Sequence, residues 1–117
     1  MNESNLTVAE KYYSAMNRKD LATATQYLHP QAEFLSPFFE VKGKEKVVDA
    51  IKGFMQSFHT ISIRAKFESE DQIMFVYDVT FPESAFTIRS AVLMNFKEHL
   101  IARIELFFDP RPFTEVK

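Results

Sequence analysis

The longest apolar patterns before residue 59 have a helical period, and those from residue 60 onward alternate. That switch restricts the fold more than any single motif does. Ala9, Tyr12, Tyr13 and Met16 recur at three- and four-residue steps, which puts them on one face of a helix. Val47, Val48, Ile51, Phe54, Met55 and Phe58 do the same over a longer stretch. After residue 59 the alternation is strict. Ile61, Ile63, Ala65 and Phe67 are separated by Ser62, Arg64 and Lys66, which predicts a strand with one wet face. Further strands are predicted over residues 73–81, 86–96 and 100–108, with turns at 69–72, 82–84 and 97–99. Short turns between long strands make an antiparallel meander, and helices come before it. This is an α+β order, read as one domain over residues 1–117.

Local signals set the boundaries in the first half. Thr7 and Glu10 have the spacing of a capping box at the start of helix one. Asp20 can cap a second helix carrying Leu21, Ala24 and Leu28, which His29-Pro30 ends. Residues 32–36 and 38–41 are short strand candidates divided by Pro37, and Gly43 turns the chain into the third helix.

Composition narrows the chemistry. Without cysteine there is neither a disulfide nor a thiolate metal site. His29, His59 and His99 are isolated, so no metal is expected. Only two glycines are present, with no phosphate cradle and no nucleophile elbow, and no cofactor is expected. A net charge of −2 spread along the chain forms no basic stripe for nucleic acid. No segment nears the roughly 20 apolar residues of a membrane span, and the first residues lack a signal-like run, so a cytoplasmic location is expected. The unusual number is 13 phenylalanines. Phe has no hydrogen-bonding group, so an excess builds either a dense core or the wall of an apolar cavity.

The segment Tyr12-Tyr-Ser-Ala-Met-Asn-Arg-Lys-Asp20-Leu, the Ala32-Glu-Phe strand, Gly43 before an apolar helix, and the closing Ile104-Glu-Leu-Phe-Phe-Asp109-Pro together resemble the nuclear transport factor 2-like superfamily, nearest its SnoaL-like polyketide-cyclase branch. The resemblance implies a cone-shaped curved antiparallel sheet over three helices. It also implies a pocket between helix one and the concave face, and frequent homodimerisation through the convex face. In the family's registration Phe75, Tyr77, Val79 and Phe81 point inward, as do Ser90, Val92, Met94 and Phe96. From the last strand Arg103, Glu105, Phe107 and Asp109 do so too. Met74, Val76, Ala91, Leu93, Ile104, Leu106 and Phe108 would then form an apolar outer face, rarely left in water.

The ketosteroid isomerase pattern within this superfamily uses a helix-one tyrosine, a base before a proline, and a second carboxyl on the fifth strand. Tyr12 matches the first, but Ser36-Pro37 and Val92 stand at the other two places. A serine hydroxyl cannot abstract a carbon-bound proton near neutral pH without its own base, so that isomerisation is not expected. The remaining inward charges make Glu105 and Asp109, with Tyr12, the candidate catalytic groups. Residues two apart on a strand point the same way, so Arg103 and Glu105 should pair, either as a structural bridge or as a polar anchor. Ser36, Phe75, Tyr77, Phe81, Met94, Phe96, Arg103 and Phe107 would contact the ligand. Two functions follow. One is a pocket for a small, largely apolar molecule, with or without cofactor-independent acid–base catalysis. The other is a dimeric association module whose pocket its own side chains fill.

Overall fold

A computed structural model describes residues 4–82 and 87–114, with side chains described through residue 112. Helix α1 spans Asn5–Asn17. Its cap is Ser4, whose Oγ accepts the Thr7 amide at 3.1 Å, one turn earlier than the Thr7 box predicts. The stripe Val8, Ala9, Tyr12, Tyr13, Ala15 and Met16 is buried. At the other end Asn17 clamps the backbone of Ile61. Its Nδ2 donates to the carbonyl and its Oδ1 accepts the amide, both at 2.8 Å.

Asp20 does cap α2, Leu21–Thr25, accepting the Thr23 amide at 3.1 Å. This helix is shorter than its apolar spacing suggests, because Leu28 already belongs to strand β1, Leu28–Leu35. Pro30 sits inside that strand, in the stretch between Leu28 and Glu33 where the pairing register shifts. A proline, lacking an amide hydrogen, is tolerated where the ladder is interrupted. Strand β2 is Glu40–Lys42 and α3 is Lys44–Ser57, entered through Gly43 at φ 94°, a conformation that suits a residue without a Cβ.

The meander follows as β3 Thr60–Ser69, β4 Gln72–Thr80, β5 Thr87–Lys97 and β6 Leu100–Phe107, with a short α4 at Arg111–Thr114. Most of the turn expected at 82–84, and the expected strand start at Phe86, lie outside the described residues. All neighbours in the meander are antiparallel, but β1 adds to β6 in parallel, giving a six-stranded mixed sheet in the order β2-β1-β6-β5-β4-β3. The three helices pack on this sheet, an α+β fold.

Two bulges change which side chains face inward. In β3, Ile63 opposes Tyr77 but Ala65 opposes Val76, so Arg64 is an extra residue. Ile61 is buried inside while Phe67 is 57% exposed, not on the same face as the uninterrupted alternation predicts. In β6, Asn95 opposes Arg103 and Phe96 opposes Ile101, so Ala102 is extra. One inserted residue inverts every later side chain. Ile104 and Leu106 therefore point into the core, and the sequence-based placement of Arg103, Glu105 and Phe107 inside is corrected: they face out.

Candidate functional site

Along the concave face the inward residues fall into two groups. Ile73, Phe75 and Tyr77 of β4, Val92, Met94 and Phe96 of β5, and Ile101 and Ile104 of β6 are buried in the hydrophobic core. The Tyr13 ring of α1 lies tilted against Phe75 and Tyr77, with ring centroids 5.8 Å and 5.2 Å away. The next inward residues on the same strands, towards the other edge, line an open cavity of about 750 Å³, while Val79, Leu106 and Phe34 still pack against the core as well. Val79 and Phe81 come from the β4 side, Ile88 and Ser90 from β5, Leu106 and Phe108 from β6, and Phe34 and Ser36 from β1.

The opposite wall is α3. Lys46, Asp49, Ala50, Gly53, Phe54 and Ser57 line the cavity, while Val47, Ile51 and Met55 of the same helix are buried. Thus α3 carries two adjacent stripes, one for the core and one for the cavity. Space exists because the cavity stripe is small at its centre: a Cβ built on Gly53 would meet no atom within 4 Å. The β1–β2 turn forms the rim with Phe38 and Phe39, 51% and 42% exposed. Ser36 Oγ accepts the Phe38 amide at 3.1 Å and shapes that turn. Phe39 lies edge-on to Phe34, and Phe38 edge-on to Phe108, each pair at 5.5 Å.

Of the residues expected to touch a ligand, Ser36 and Phe81 line this cavity. Phe75, Tyr77, Met94 and Phe96 instead fill the core, and the pocket lies against α3, not against helix one. Tyr12 is buried, edge-on to Tyr13 at 4.9 Å. Burial pushes its hydroxyl well above the usual phenol range, as it does those of Tyr13 and Tyr77, which share a hydrogen bond of 3.2 Å. Arg103 and Glu105 do meet, at 3.7 Å, but on the convex face, where Glu33 adds a second contact at 3.5 Å. Phe107 is 43% exposed on that face. Asp109 is exposed, and bonds from the Arg111 guanidinium hold its carboxyl down at about 2. The three candidate catalytic groups therefore do not converge. The cavity role of Phe34, Phe54, Ile88, Leu106 and Phe108 was not read from the sequence, Leu106 and Phe108 because the family's registration put them on the outer face. The available signal was the second stripe on α3, with Ala50 and Gly53 in it. Among the described residues no group of three or more potential metal ligands converges, and no helix is long and apolar enough to cross a membrane.

A curved sheet over three helices with a cavity at one end defines the nuclear transport factor 2-like class. A protein of that class from Cytophaga hutchinsonii matches with a TM-score of 0.85 at 18% identity, covering 97% of each chain. Another, from Burkholderia pseudomallei, gives 0.82 at 18% identity over 95% of each. A Bacillus subtilis protein provisionally named an isomerase gives 0.75 at 21% identity, over 94% of this chain and 89% of that one. At these identities the likeness establishes the fold. The sequence itself matches the SnoaL-like domain family over residues 9–104, and the chain belongs to that family. No curated protein matches it.

Proposed function

We propose that this protein binds a small, largely apolar molecule in the cavity between α3 and the sheet. The observation that carries this is the cavity itself: about 750 Å³, walled mainly by apolar side chains. That volume lies in the range of small-molecule sites, which are mostly apolar with a few placed polar groups. Binding is favoured over acid–base turnover by the distribution of charge. Among the described lining residues the one carboxylate, Asp49, is exposed on α3, and no base stands inside. Titration with the neutral fluorophore Nile red tests the proposal, with a dissociation constant in the micromolar range expected. Gly53→Trp, which puts a large ring into the open space, should abolish the signal. Absence of binding to the wild type, or equal binding to the variant, overturns it.

A separate observation favours self-association as a second property. Phe67 and Phe107 are exposed on the convex face, and Met74, Val76, Ala91 and Leu93 between them are only half-buried. At about 25 cal/mol per Å² of apolar surface, covering that band with a second copy would be favourable. Light scattering at micromolar concentration should give twice the monomer mass, and Leu93→Glu should halve it. A wild-type mass of 13.6 kDa would remove this property and leave the cavity proposal intact.

A further inference from the structure

We infer that Ser90 orients the bound molecule, through a hydrogen bond to a neutral hydroxyl or carbonyl carried at the ligand's buried end. This rests on the cavity being a binding site, and it specifies what the site selects.

Ser90 lies where the filled and open halves of the concave face meet. It is only 5% exposed, lines the cavity, and opposes the buried Tyr77 across the β4–β5 pair. Its inward neighbours on β5 are Ile88 and Val92, both buried. The position thus belongs to an apolar row interrupted by one hydroxyl. The residue as a whole is nearly covered, but its hydroxyl oxygen keeps contact with the open space of the cavity. Among the described residues, no side-chain hydrogen bond engages the Ser90 Oγ. The other lining hydroxyls are used locally: Ser57 donates to the Phe54 carbonyl at 2.8 Å, and Ser36 holds the rim turn. Ser90 is left pointing its one polar group into an apolar cavity, where a ligand atom or a water that the ligand displaces can meet it.

Charge decides the class of ligand. Lys46 and Asp49 are the charged residues among the described lining, and both are exposed on α3. Among the described lining residues no charged group lies beside Ser90 to neutralise a carboxylate or an ammonium, and a buried charge without a counter-charge is strongly disfavoured. The leading end of the ligand is therefore neutral and hydrogen-bonding, and a charged end is acceptable only at the rim.

Competition against Nile red with three probes of one ring system tests this at pH 7: naphthalene, 2-naphthol and 2-naphthoate. The wild type should take 2-naphthol about fivefold more tightly than naphthalene, the size of one net hydrogen bond, with 2-naphthoate weakest. Ser90→Ala should bring 2-naphthol down to the naphthalene level, each competition being referred to that variant's own Nile red dissociation constant. Ser90→Thr, which keeps the hydroxyl, should retain the preference. Circular dichroism and melting show that each variant is folded, and the wild-type ranking is informative without any variant. The inference is overturned if 2-naphthoate wins in the wild type, or if the 2-naphthol preference survives in Ser90→Ala. If the wild type binds Nile red but ranks the probes equally, Ser90 has no orienting role while the cavity proposal stands. Failure of the wild type to bind Nile red removes both.

Discussion

The two halves of the concave face are built from the same strands and the same kinds of residue, yet one is solid and the other hollow. Phe75 and Phe81 sit on the same chain segment and point the same way. Phe75 is fully buried beneath the Tyr13 ring, whereas Phe81 is half-buried at the edge of the cavity. What differs is the opposing surface. Helix α1 presents large rings to the solid half, while the α3 stripe facing the hollow half has Ala50 and Gly53 at its centre. A cavity in this fold is thus a property of the helix above the sheet more than of the sheet itself. Close packing is the rule for protein interiors, so a void of this size persists only where the opposing side chains are too short to close it.

That contrast can be broken most directly by truncation. Phe75→Ala should cost about 4 kcal/mol in urea unfolding, as expected for a large ring removed from a closed core. Phe54→Ala, on the cavity wall, should cost less than about 1.5 kcal/mol, because the ring is only half-buried. Equal costs would mean the two halves are packed alike.

Alkaline unfolding probes the solid half alone. Tyr12, Tyr13 and Tyr77 all have phenols raised by burial above the ordinary value of 10.0. Each stays protonated when folded but ionises when unfolded, so its contribution is complete below pH 10 and is lost as pH rises beyond it. Each such tyrosine should lower stability by about 1.4 kcal/mol per pH unit above 10. Melting temperatures at pH 8 and 11 measure this, and Tyr13→Phe should flatten the slope. A flat profile would show that the phenols are hydrated.

The hollow half should respond in the opposite sense. Gly53→Ala should raise stability by up to about 1 kcal/mol, since glycine in a helix is disfavoured and the added methyl meets open space. A loss of stability would show that the wall has no room there. The smallest effect is expected outside both halves, at Asp109. Its pairing with Arg111 lowers the carboxyl to about 2, so any stabilisation is present above pH 3.8 and fades as pH falls towards 2. Because the pair is exposed, Asp109→Asn should leave the melting temperature at neutral pH unchanged within error. A clear drop would mean that the pair braces the end of β6.

Much of the architecture was legible from periodicity, and the failures have one cause. The helical stripes of α1 and α3 and the Asp20 cap follow from spacing and local hydrogen bonding, and the inward register of β4 and β5 from the family resemblance. Register was misread wherever a single residue bulges, at Arg64 and at Ala102, because alternation in sequence assumes an unbroken ladder. Ala102 alone carried Arg103, Glu105 and Phe107 from the expected pocket to the convex face, and with them most of the expected chemistry.

The sequence by itself determined the order of helices and strands, the apolar character of the interior and the absence of thiol chemistry, since these depend on residue type and on spacing within one element. Only the tertiary structure decided which phenylalanines form core and which form wall, that β1 extends the sheet in parallel beside β6, and that among the described lining residues the Ser90 hydroxyl has no side-chain partner. Those outcomes depend on what stands opposite each residue across the fold, and no local pattern carries that information.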